Sequence, residues 1–144
     1  MIILITDPQD PRLEFVRDDP VRPDIPVEFR VGHNRFVCAY AVEEKIHAMV
    51  CVNLLDKIPT RVEELGESNN YTTAVFYTIW GYVPGAATKL LSGAVKLIQE
   101  QYPTVHRFVT LSPKTEMARR FHLRNGAVVL SDNETTVNYE YTTI

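Results

Sequence analysis

The sequence predicts an α/β chain of the α+β kind, with a mixed and mostly antiparallel central sheet, one parallel pair of neighbouring strands, and helices on both faces. Three observations carry this expectation. Residues 35–42 and 46–55 are rich in Val, Ile, Phe, Tyr and Cys and flank the polar Glu43-Glu44-Lys45, the pattern of an antiparallel hairpin. Residues 74–80 form a further apolar run that leads through the small-residue stretch 81–88 into an amphipathic helix. Residues 106–111 read as a strand after that helix, so a right-handed crossover makes them parallel to 74–80.

Taken in order, residues 2–5 read as the first strand, ended by Asp7-Pro8. Five prolines follow, at Pro8, Pro11, Pro20, Pro23 and Pro26. Proline lacks the N–H a helix needs and biases its predecessor out of the helical region. Only residues 12–18 can then form a short helix, and the stretch is expected to be irregular covering structure. A two-residue hairpin turn at Glu44-Lys45 would put Cys38 opposite Cys51. Residues 60–65 suit a helical turn capped by Thr60, with Glu63 completing a capping box, and residues 66–70 a polar loop.

The helix over residues 89–101 and its approach place Ala87, Leu90, Leu91, Ala94 and Ile98 on one face, with Lys89, Lys96 and Glu100 opposite. Ser112-Pro113 is expected to open a second helix, because serine caps well and proline suits the first helical position, while Asn125-Gly126 suits its end. Residues 127–130 and 136–141 close the chain as strands around Ser131-Asp132-Asn133.

At 144 residues the chain has the length of one domain, residues 1–144, able to bury a core without staples. Its net charge of −3, with the basic residues scattered, lacks the footprint of a nucleic-acid binder. No apolar run is long enough to span a membrane, and residues 1–6 lack the basic start of a signal peptide. A cytoplasmic protein without nucleic-acid or membrane partners is expected, and a homodimer is left open. Cys38, Cys51 and four scattered histidines form neither a disulfide framework nor a metal site, so no metal is expected and both thiols read as reduced core residues.

The strand–turn–helix unit at the centre has the design of an anion site. A helix N-terminus offers unpaired N–H groups and a partial positive charge, and Gly85, Ala86 and Ala87 let a phosphate come close. Small residues at such a turn also serve close packing alone. The loop is neither a Walker loop nor a GxGxxG fingerprint. The candidate binding residues are Tyr82, Val83, Pro84, Gly85, Ala86, Ala87 and Thr88, with Tyr77, Thr78 and Ile79 on the preceding strand beside the remainder of the ligand.

The element order, with small residues opening the central helix, resembles the GNAT acyltransferase superfamily over almost the whole chain. That resemblance implies an acyl-CoA bound across splayed central strands, its pyrophosphate on the 82–88 loop. The superfamily's Gln/Arg-x-x-Gly-x-Gly/Ala loop is matched at Gly85 and Ala87, with Tyr82 at the basic or amide position. Its later Asn-x-x-Ala motif, with a Tyr seven residues on, appears as Thr115-x-x-Ala118 with His122 at the Tyr position. Within the superfamily, Phe76-Tyr-Thr-Ile79, Val109-Thr-Leu-Ser-Pro113, the run 118–127 and Val137-Asn-Tyr139 look like the catalytic domain of malonyl-CoA decarboxylases. On that likeness Ser112 and His122 would be the catalytic pair, although the family's long insertion between those motifs and its helical domain are absent.

The chemistry follows from these residues. A histidine can exchange a proton near neutral pH, so His122 could protonate a leaving CoA thiolate or the enolate left when CO2 departs; otherwise it is an exposed helix histidine. Ser112 as a helix cap would lie roughly 15 Å from His122, ten steps of about 1.5 Å, so a direct pair requires residues 112–115 to be non-helical. Amine acetylation also calls for a base, and the strand at 71–80 has no carboxylate, leaving Glu63, Glu64 or Glu67 acting through water. Three readings remain. One is acyl transfer from acetyl-CoA or a similar thioester to a small amine or protein acceptor, one is malonyl-CoA decarboxylation, and one is CoA binding without turnover.

Overall fold

Branched and aromatic residues dominate the strand segments, and in the computed structural model, which describes residues 1–142, they assemble into one eight-stranded sheet. The strands are β1 (Ile2–Ile5), β2 (Arg35–Val42), β3 (Lys45–Leu55), β4 (Thr73–Gly81), β5 (Arg107–Thr110), β6 (Ser112–Pro113), β7 (Val128–Asp132) and β8 (Thr136–Tyr141). The α-helices are α1 (Ala86–Gln101) and α2 (Glu116–Arg124). β1 to β4 pair antiparallel in chain order. β4 and β5 are the parallel pair, with α1 as their crossover. β8 runs antiparallel to β5 and then β6 along one edge and to β7 along the other. The mixed, mostly antiparallel sheet expected from the sequence is the one that forms.

The two faces of the sheet are covered differently. Leu90, Leu91, Ala94, Val95 and Ile98 of α1 pack on Phe36, Val50, Val52 and Phe76. Each such leucine removed from water contributes about 1.5–3 kcal/mol. The opposite face presents Ile5, Val37, Met49, Val75, Tyr77 and Trp80. It is covered by 3-10 helices at Pro11–Asp18, Val27–Arg30 and Val62–Glu64. The prolines account for their shortness, since each removes a donor and bends the chain away from a longer helix.

Several local expectations are corrected. The hairpin turn is Glu43-Glu44, both at positive φ (50° and 69°), with Val42 paired to Lys45. His47 is then an extra residue in β3, because Tyr40 pairs with Ala48 but Ala41 with Ile46. Turn and bulge together put Cys38 opposite Val50 and Cys51 opposite Val37, so the thiols belong to opposite faces of the sheet.

Ser112 does not cap a helix. It pairs with Val137 as part of β6, and Thr115 caps α2, its Oγ1 accepting from the Ala118 N–H at 3.2 Å. The cause is tertiary: a serine before a proline is extended either as a cap or as a strand residue, and β8 offers Ser112 and Pro113 a ladder. At residues 60–65 it is Glu64, not Glu63, that reaches back to the Thr60 N–H, at 2.8 Å. β7 runs on to Asp132, and the final turn is closed by the Asn133 N–H donating to the Thr136 carbonyl at 2.9 Å.

Burial raises the Cys38 thiol to about 12 and the Cys51 thiol to about 11, the latter offset in part by the Arg30 guanidinium. Both are sealed in the core. Neither should react with a thiol reagent such as DTNB in the folded protein at pH 8, and both should react once it is unfolded. Fast labelling of one native thiol contradicts this placement.

Candidate functional site

The sheet opens at its parallel pair. β4 and β5 pair only from Thr73 with Arg107 to Phe76 with Thr110. A last link joins the Leu111 N–H to the Phe76 carbonyl at 3.0 Å, after which the chain leaves as β6 to pair with β8. β4 continues to Gly81 against β3 alone, with a bulge at Tyr77, since Cys51 pairs with Thr78 but Val52 with Phe76. A cavity of about 230 Å³ occupies this opening. Its walls include Phe76 to Gly81 of β4, Ser112, Thr115, and Ala118 and His122 of α2. It is also lined by Val21 and by residues of both faces, Ala87 on the α1 side and Tyr77 and Trp80 on the opposite side.

Of the residues singled out from the sequence, Tyr77, Thr78, Ile79, Ala87, Ser112, Thr115 and His122 all line this one cavity. Tyr82, Val83, Pro84, Gly85, Ala86 and Thr88 lie beyond its walls, at the rim formed by the turn into α1. Gly85 sits at φ 81°, and a Cβ added to it would meet no heavy atom within 4 Å. Open space therefore lies in front of the helix start, which suits a close-approaching phosphate.

Not every amide of the loop is free to bind one. The Tyr82 N–H donates to the His47 carbonyl at 2.8 Å and the Ala86 N–H to the Val83 carbonyl at 3.1 Å. Pro84 has no N–H at all. The candidate donors narrow to Val83, Gly85, Ala87 and Thr88. The Tyr82 side chain is also engaged: its hydroxyl donates to Asp18 Oδ2 at 2.8 Å and accepts from Trp80 Nε1 at 3.0 Å. Burial first, then Asp18, raises its pKa to about 12.

His122 is not an exposed helix histidine. It retains 4% of its surface, with Phe121 against its edge and Tyr139 stacked on it. Its Nδ1 lies 2.7 Å from the Tyr141 hydroxyl. Burial lowers its pKa from 6.5 to about 4, so at neutral pH the ring is uncharged, contrary to a group poised to titrate there. Burial likewise raises Tyr141, which keeps its proton. Ser112 Oγ donates to Thr110 Oγ1 at 2.8 Å, and Thr110 Oγ1 also accepts from the Tyr139 N–H. Residues 112–115 are non-helical, and Ser112 and His122 share the cavity, but each is bonded to another partner.

Tyr141 and Asp19 escaped sequence reasoning. Tyr141 lies 19 residues from His122, and only strand alternation with Tyr139 could have suggested that it points inward. Asp19, among the prolines, is fully enclosed: its carboxylate accepts from Arg30 Nη1 at 2.6 Å, from Thr78 Oγ1 at 2.7 Å, and from the Val21 and Arg22 N–H groups. Of the carboxylates raised as bases none lines the cavity; Glu63 is exposed, and the other two are engaged elsewhere. Glu64 holds Thr60, and Glu67 pairs with His33 and Arg35. No carboxylate lines the cavity, and no cluster of three metal-ligating side chains occurs among the described residues.

Comparison with known proteins bears on the fold. No family model matches the chain, and no curated protein matches it. Among solved structures it superposes over 98% of its length on malonyl-CoA decarboxylase from Cupriavidus metallidurans, with a TM-score of 0.73 at 16% identity, and spans 60% of that chain. The GNAT domain of S. lividans PAT is matched over 97% of this chain and 88% of that one, with a TM-score of 0.67 at 13% identity. Paia N-acetyltransferase from Thermoplasma acidophilum, solved with coenzyme A, is matched over 74% of this chain and 60% of that one, with a TM-score of 0.54 at 11% identity. The chain has the GNAT fold, shared with malonyl-CoA decarboxylases.

Because the folded-state pKa of His122 lies below its ordinary value, the unfolded chain takes up a proton first as pH falls. The stability at stake, on the order of 3 kcal/mol, is fully present above about pH 6.5 and is lost as pH falls to about 4. NMR of the His122 imidazole should show the neutral form persisting to about pH 5. A midpoint near 6.5 contradicts the burial argument.

Proposed function

We propose that this chain binds a CoA thioester across the opening between β4 and β5 and transfers its acyl group to a small amine or protein acceptor. The observation that carries this reading is a cavity at the parting of β4 and β5 that residues of both faces line, Ala87 on one and Tyr77 and Trp80 on the other, which suits a thioester and an acceptor approaching the exposed edge of β4 from opposite sides. The N–H groups of Val83, Gly85, Ala87 and Thr88 suit the pyrophosphate, and Tyr77, Thr78 and Ile79 flank the pantetheine arm. Among proteins with this fold, an N-acetyltransferase points the same way, while malonyl-CoA decarboxylase shares only the CoA thioester.

In this reading backbone N–H groups on the open edge of β4 polarise the thioester carbonyl. The acceptor nitrogen forms a bond to the carbonyl carbon, the C–S bond breaks, and the proton lost by nitrogen ends on the thiolate sulfur. His122 carries that proton. Its ring is neutral in the free site, but an oxyanion or thiolate developing within about 4–6 Å favours the imidazolium, so charge appears when it is needed. In the tautomer whose Nδ1–H donates to the Tyr141 oxygen, Nε2 is the atom free to accept and return the proton. Ser112, its own proton held by Thr110, faces the cavity as an acceptor that orients the reacting groups.

One observation favours decarboxylation of a malonyl thioester instead: among the described residues no carboxylate lines the cavity to deprotonate an amine. That reaction needs only carbonyl polarisation and a proton delivered to carbon. Mass spectrometry of acetyl-CoA and malonyl-CoA, each incubated with the protein with and without an amine panel, separates the readings. Acylated amine and free CoA are expected. Acetyl-CoA formed from malonyl-CoA without an acceptor selects decarboxylation, and no product from either thioester leaves CoA binding without turnover. His122→Ala should lower turnover by roughly 10²–10⁴-fold, while Gly85→Val should abolish CoA binding in a protein that still melts cooperatively. Unchanged CoA affinity in Gly85→Val overturns the loop assignment.

A further inference from the structure

We propose that Arg22 binds a carboxylate of the reacting molecule at the end of the cavity away from α1, an inference that rests on the CoA-thioester reading above. Val21 and Ser112 line the cavity; Arg22 lies just behind that wall, its Nη2 2.9 Å from the carbonyl of Leu111, the residue before Ser112. The guanidinium thus sits where the N-terminal segment meets the opening of the sheet.

Two features distinguish it from an ordinary structural arginine. First, its Nε is a buried donor without a partner, and Nη1 has none among the described residues. Nη1 is not enclosed and is the donor an arriving carboxylate meets first, while the cost of the unpaired Nε is relieved once the guanidinium shifts toward that carboxylate. Second, Arg22 has no ion-pair partner among the described residues. The nearby Asp19 carboxylate is already committed to Arg30 Nη1, Thr78 Oγ1 and two backbone N–H groups. No acidic side chain lies within ion-pair distance of Arg22 among the described residues. Asp19, Arg22 and Arg30 therefore sum to one excess positive charge. Desolvation pulls the Arg22 pKa down, offset only in part by Asp19, as expected of a cation short of a partner.

The backbone of Arg22 is held from both sides. Its N–H donates to Asp19 Oδ1 at 2.9 Å, and its carbonyl accepts from Arg30 Nη2 at 2.8 Å. A guanidinium on so fixed a backbone loses little freedom on binding, and its planar fork suits a carboxylate. The carboxylate can come from the acceptor, as in an amino acid, or from the acyl group, as in malonyl-CoA.

Calorimetry of the full chain distinguishes these sources. In one arm the CoA-saturated protein is titrated with amino acids singly, each beside its carboxamide. In the other, malonyl-CoA and acetyl-CoA are compared directly. At least one arm should show a roughly tenfold or greater preference for the carboxylate. Arg22→Gln should reduce it to less than twofold while CoA affinity is kept, and Arg22→Lys, which keeps the charge, should retain part of it. The wild-type comparison needs no variant, and thermal melts report whether each variant folds. No preference in either arm with CoA still bound overturns the proposal and leaves the thioester reading standing. A preference that survives in folded Arg22→Gln also overturns it. Failure of CoA itself to bind removes both.

Discussion

Parallel strands must be joined by a crossover, and nothing requires that they stay paired once the crossover has been made. Here β4 and β5 part after Thr110, because the chain turns at Leu111 to satisfy β8 through Ser112 and Pro113. The rest of β4 is left with β3 on one edge and no strand on the other. Backbone N–H and C=O groups are obligatory hydrogen-bonding groups, so such an edge calls for a partner. The cavity, the convergence of Ser112 and His122, and the access of Ala87 and Val21 to the same space all follow from this divergence. The bulge at Tyr77 adds local twist at the point of parting.

What holds the opening in shape is the packing on either side of it. On one face the apolar stripe of α1 anchors the turn at Gly85, so the helix start meets the end of β4 in a fixed pose. On the other, the enclosed Asp19–Arg30 pair ties the proline-rich segment to Thr78 and Cys51 beneath the sheet. Such a pair adds little to stability over an apolar substitute, yet breaking it by removing one partner leaves a buried charge and is strongly destabilising. Its visible consequence here is placement, since it holds the backbone of Val21 at the cavity wall and that of Arg22, whose side chain reaches the Leu111 carbonyl.

Much of this was legible in the residues. The periodicity of α1, the two apolar arms of the hairpin and the small residues at Gly85 and Ala87 all report local constraints, and a local pattern is what a sequence displays. Ser112 shows where that fails: Ser-Pro satisfies the rules for a helix start, while the demand of β8 for a partner lies in a segment 24 residues further on. The Glu43-Glu44 turn was obscured because glutamate is an uncommon choice for positive φ, and the His47 bulge has no sequence signature, so the register of the cysteines slipped. The protonation state of His122 was illegible for a different reason. It depends on Phe121, Tyr139 and Tyr141 enclosing the ring, and desolvation is a property of assembled structure.

The central claim is that the exposed edge of β4 and the start of α1 form one continuous ligand seat. Amide hydrogen exchange, resolved by residue with and without acetyl-CoA, tests it most directly, since a ligand that takes up these groups must slow their exchange. Strong added protection is expected at those of residues 77–80 whose N–H groups face the open edge rather than β3, and at Val83, Gly85, Ala87 and Thr88, with β1, β7 and the hairpin turn unaffected. Protection confined to other segments, or none at saturating ligand, contradicts the account.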